Sequence, residues 1–150
     1  MTYQQVREIL KHIRRVHEEA AAHCAETGDT DDERLRLLAE FMRSGEERLS
    51  NQIATIEEGA QADILETWVQ FVPTGGVEKA LQALRASDSE DGGATVANCL
   101  ALQKQIAASF RHLAEILPSP EAQDTLRHLA DMEERAIHEW GLADTTREDG

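Results

Sequence analysis

The chain has 150 residues, a formal net charge of −14 and a composition that is 41% hydrophobic but only 4% aromatic. This is the length of one domain, enough to bury a sizeable core. The acidic balance would repel phosphate backbones and anionic lipid surfaces, so neither nucleic acid nor membrane is an expected partner.

Ala, Leu, Glu, Gln and Arg are abundant, all good helix formers, and no run alternates as a strand does; the expected class is all-α. The opening MTYQQVREILKHIRR is charged throughout and has no apolar h-region, so it does not read as a secretory leader. No stretch approaches the roughly 18 apolar residues of a membrane span. Cys24 and Cys99 lie far apart and form neither a pair motif nor a disulfide framework, which points to a reduced, cytoplasmic setting.

The spacing predicts a first helix from about Tyr3 to Glu26. Thr2 and Gln5 have capping-box spacing, and Gly28 supplies the stop. Its apolar stripe is Val6, Ile9, Leu10, Ile13, His17, Ala20 and Cys24. Thr30 and Glu33 repeat the capping box to open a second helix, with Asp31, Asp32 and Glu33 where the helix dipole favours acids. Its stripe reads Leu35, Leu38, Met42, Gly45/Glu46, Leu49, Ile53 and Ile56.

From about 59 to 93 the rhythm changes into a helical crossover. Ala62 to Val72 reads as a short helix carrying Ile64, Leu65, Trp68 and Phe71, ended by Pro73. Thr74 would cap a second piece through Val77, Ala80, Leu81 and Leu84, followed by the acidic loop SDSEDGG.

A third long helix is expected from near Ala94 to before Pro118, with the stripe Val96, Leu100, Gln103, Ala107, Phe110, Leu113 and Leu117. Ser119 and Pro120 form an N-cap and first-turn pair for the fourth. That helix carries Leu126, Leu129, Glu133, Ala136, Ile137 and Trp140 and stops at Gly141. Residues 1–143 then form the domain and 144–150 a flexible tail.

Short links make hairpins of helices 1–2 and of helices 3–4. The gap between helices 2 and 3 is far longer than the roughly 2–8 residues usual between neighbours in a bundle. A connection of that length lets helices 2 and 3 run parallel. The expected architecture is therefore an antiparallel four-helix bundle of up-down-down-up, one-crossover topology.

Four polar residues interrupt the stripes near mid-helix: His17, Glu46, Gln103 and Glu133. In a bundle they would meet at one depth, where bundles build metal sites. One imidazole and two carboxylates suit Fe, Mn or Zn, with Gln103 or water completing the shell. The competing reading is a hydrogen-bonded polar layer in which Gln103 serves both Glu46 and His17. A third is a rotated last helix that turns Glu133 to solvent and puts Met132 in the core.

The segments HIRRVHEEAAAHCAE, LLAEFMRSGEERL, ALQKQIAASFRHLAE and SPEAQDTLRHLADMEERAIHEW together resemble the ferritin-like superfamily, rubrerythrin-type domains in particular. The resemblance implies a Glu from helices 1 and 3 and a Glu-x-x-His pair from helices 2 and 4 around two irons. Here Glu46 is followed at that spacing by Leu49, Glu47 by Ser50, Glu133 by Ala136 and Glu134 by Ile137. Gln103 stands at the helix 3 position and His17 is the best-placed residue on helix 1. Ferroxidase, peroxidase and oxygenase chemistry are therefore not expected, and no catalytic residue is assigned. The resemblance also makes helices 1 and 3 antiparallel, which would put Cys24 and Cys99 toward one end of the bundle. A redox pair is one reading of that placement, but neither cysteine has a cation beside it to stabilise a thiolate, and buried thiols acting as small apolar groups are the expectation.

Glu8/His12, Glu19/His23, Asp124/His128 and Glu134/His138 have i,i+4 spacing and read as surface helix pairs, with His23 bordering the core stripe. Trp68 and Phe71 concentrate aromatic surface on the crossover. They suggest self-association, and the expected partner is a second copy in a homodimer. The functional expectation is a non-catalytic structural or protein-interaction bundle without a resident cofactor. The alternative is a metal-binding protein or weak metal-dependent oxidoreductase using His17, Glu46 and Glu133.

Overall fold

Amphipathic periodicity becomes helix almost everywhere: a computed structural model of the chain is 84% helical, with six helices among the residues described. It describes residues 3–70, 74–87 and 91–149, without the side chains of 74, 75 and 146–149. The elements are β1 (Tyr3–Gln5), α1 (Val6–Thr27), α2 (Glu33–Gly59), α3 (Ala62–Leu65), β2 (Trp68–Gln70), α4 (Thr74–Arg85), α5 (Gly92–Ile116) and α6 (Pro120–Asp149).

The expected apolar stripes form the core. Ile9, Leu10 and Ile13 of α1, Met42, Leu49 and Ile53 of α2, Phe110 and Leu113 of α5, and Leu126, Leu129 and Trp140 of α6 are all buried. Each such side chain contributes on the order of 1.5–3 kcal/mol when removed from water. Helix α5 buries more than the single stripe read from its sequence, adding Cys99, Leu102, Ile106 and Ala114.

Polar contacts fix which helices lie side by side. Arg14 of α1 donates to Glu57 of α2 at 2.9 Å, and Ser50 of α2 donates to Glu18 of α1 at 3.4 Å. Arg85 of α4 holds Glu19 of α1 through two bonds of 2.7 and 2.8 Å. Arg111 of α5 donates to Glu134 of α6 at 3.0 and 2.7 Å and to Asp131 at 2.5 Å. The exposed pairs among these, such as those of Arg111, contribute little stability, but all of them report the register of neighbours.

The crossover differs from expectation. The helix read over Ala62 to Val72 is one turn only, Ala62–Leu65, and the chain then extends into β2. It pairs antiparallel with β1, Tyr3 opposite Gln70 and Gln5 opposite Trp68. The Val6 amide adds a bond to the Thr67 carbonyl at 3.0 Å. Tyr3 is thus strand, not first-turn helix, and the residue before α1 is Gln5 without a side-chain cap. The reason is non-local: two three-residue segments satisfy each other's backbone groups, a gain that helical periodicity does not register. Thr2, Phe71 and Pro73 lie outside the described residues.

Several ends also move. Gly28 ends α1 with φ −71°, so no left-handed turn is used there. Asp32, not Thr30, caps α2, accepting from the Leu35 amide at 3.2 Å. Asp91 caps α5 through the Ala94 amide at 3.1 Å, so the helix begins at Gly92, two residues before the expected start. Ser119 accepts from the Ala122 amide at 3.1 Å, as its cap position predicts. Gly141 does not stop α6, which continues to Asp149, with Ala143 still packed against the core. Among the described residues no helix is long and apolar enough to cross a membrane.

Candidate functional site

Helical spacing sets the depth of each polar side chain. His17 follows Ile13 and precedes Ala20 on the buried face of α1, Glu46 lies between Met42 and Leu49 on α2, and Glu133 lies between Leu129 and Trp140 on α6. All three are buried, His17 at 0% exposure and each glutamate at 1%.

They meet. His17 Nδ1 lies 2.5 Å from Glu46 Oε2, and His17 Nε2 lies 2.7 Å from Glu133 Oε1. The imidazole therefore bridges two carboxylates from two other helices. Carboxylates accept only, so an imidazolium donating both N–H groups satisfies this geometry directly. These are charge-assisted bonds, about twice as strong as neutral ones.

Two effects compete for the imidazole proton. Burial alone would lower the His17 pKa, but the charges of Glu133 and Glu46, and the bonds to them, push it up to about 10. Burial raises Glu46 above the ordinary carboxylate range, against the pull of His17 and with the repulsion of Glu133. Both shifts hold protons inside the folded protein, and a proton on Glu46 would make the three-residue group neutral.

Gln103 is buried too, but its amide oxygen and nitrogen find no hydrogen-bond partner among the described residues. It does not bridge Glu46 and His17, which corrects the polar layer as read from sequence. The rotated-helix alternative is also overturned, since Glu133 is buried while Met132 is only partly so.

A metal needs lone pairs converging on one point. Here the imidazole occupies the middle, and both its nitrogens face carboxylate oxygens. No group of three or more His, Cys, Asp or Glu arranged to hold a metal occurs among the described residues. With both nitrogens so engaged, His17 has no free lone pair for the single-metal centre that the four-residue set suggested. What it can do is tie α1, α2 and α6 together through one shared set of protons.

Two further features were not apparent from periodicity. The indole of Trp140 lies across Gly45, whose added Cβ would come within 2.7 Å of Cζ2, so the residue before Glu46 must be small. Cys24 and Cys99 place their sulfurs 3.7 Å apart. Of the four acid–histidine pairs, Glu19 and His23 meet at 3.7 Å. His12 instead faces Glu78, Asp124 faces Arg127 and Glu134 faces Arg111. The chain matches no protein-family model, no curated protein and no solved structure.

Proposed function

We propose that this chain is a ferritin-like four-helix bundle of up-down-down-up topology that works as a non-catalytic structural or protein-interaction module in the cytoplasm. Its topology is supported by register. Arg14 faces Glu57 while Glu18 faces Ser50, Arg48 faces Glu139, and the sulfur of Cys24, late in α1, meets that of Cys99, early in α5. The single observation that carries the functional reading is the Glu46–His17–Glu133 bridge, in which the one core imidazole spends both nitrogens on protein carboxylates.

In this reading the surface does the work, as a homodimer. Tyr3 and Trp68 are 62% and 60% exposed. The pairing of Gln5 with Trp68 puts both aromatics on one face of the β1–β2 ribbon, the kind of large, rigid contact that anchors interfaces. Elemental analysis of untagged protein from metal-supplemented expression tests the first half: less than one equivalent of Fe, Mn or Zn is expected. A stoichiometric metal that His17→Ala releases would establish the metal-binding alternative instead.

A further inference from the structure

We propose that Cys24 and Cys99 form an oxidisable dithiol site that takes a small hydroperoxide as co-reactant and closes into a disulfide joining α1 to α5. Both thiols are free and buried, on facing helices, with 3.7 Å between sulfurs. A disulfide needs about 2.05 Å, so a small approach of the two side chains completes the bond.

Access is unequal. Cys24 lies in the last turn of α1, which ends at Thr27, and helix ends open more readily than helix centres. Cys99 is fully enclosed within α5. Opening of the α1 terminus therefore presents Cys24 to a water-sized oxidant, while a bulky disulfide reagent stays excluded. In the resting pair the Cys24 sulfur, burial and the nearby Glu46 carboxylate all keep the proton on Cys99.

The chemistry balances in two steps. The Cys24 sulfur attacks the terminal oxygen of the hydroperoxide; the O–O bond breaks, Cys24 becomes a sulfenic acid, and the alcohol (water, for hydrogen peroxide) leaves with a proton. The Cys99 sulfur then attacks the Cys24 sulfur; the S–O bond breaks and water leaves with the Cys99 proton. Two thiols are oxidised by two electrons and one peroxide is reduced.

The test treats the folded, reduced full chain with hydrogen peroxide, quenches in acid, alkylates, and reads intact mass and a peptide map. The expected product has lost two hydrogens, resists alkylation, contains a Cys24–Cys99 linked peptide and reverts with dithiothreitol. Closing so long a loop should raise the unfolding temperature by roughly 10 °C. Cys99→Ser should instead accumulate a Cys24 sulfenic acid that dimedone traps. Two thiols still alkylated after treatment, sulfinic acid at Cys24 in the wild-type chain, or cross-links only between copies would each overturn the proposal. The wild-type result decides even if Cys99→Ser does not fold, and it is independent of the Trp68 surface.

Discussion

His17 sets the strongest expectations at the scale of single residues. Its folded pKa of about 10 stands above the ordinary 6.5. The folded state thus binds a proton that the unfolded chain releases above pH 6.5, and stability present in full below that value is lost as pH rises toward 10. Glu46, raised by burial, has the same sign: its contribution is greatest below the ordinary 4.5 and fades above it. Glu19 and Glu134, lowered mainly by bonds to Arg85 and Arg111, act oppositely and lose their contribution in acid. Denaturant midpoints should therefore fall steadily between about pH 6.5 and pH 10 in the wild-type chain. His17→Ala should cost about 3–5 kcal/mol by stranding two carboxylates, and should flatten that slope. A triple replacement of His17, Glu46 and Glu133 by apolar residues should regain most of the loss, since no unpaired charge is left behind. Equal pH slopes in wild type and His17→Ala would exclude this proton inventory.

The helices make their own, smaller predictions. A Cβ built on Gly141 meets nothing within 4 Å, and the residue lies inside α6, not at its end. Gly141→Ala should accordingly stabilise by about 0.5–1 kcal/mol, read as a higher melting temperature. A lowered one would mean that α6 stops where the sequence alone suggests. Gly45→Ala should do the reverse, costing about 1–3 kcal/mol, because its Cβ would press on Trp140 at 2.7 Å. Two glycines on the faces of long helices thus have opposite roles, decided by what lies across from them.

For the whole molecule the proposed dimer must form against charge. With −14 on each copy, repulsion between copies is substantial at low salt and screened within about 8 Å near physiological ionic strength. Sedimentation should show a dimer that tightens as salt rises and loosens in Trp68→Ala, whose exposed indole is the proposed anchor. A monomer for both proteins at every salt concentration would remove the self-association reading.

What the sequence determined by itself was local and periodic. The apolar stripes located the four long helices, Ser119 marked the start of α6, and the interruptions at His17, Glu46 and Glu133 marked a buried polar group. These features were legible because one residue in three or four repeats on the same helix face. Tertiary structure alone decided the rest. It placed an imidazole between two carboxylates and left Gln103 aside, brought two thiols together across 75 residues, and paired Tyr3–Gln5 with Trp68–Gln70. Each of these depends on the azimuth and offset of one element against another, which are set by close packing across the core and not by the order of residues along any single helix.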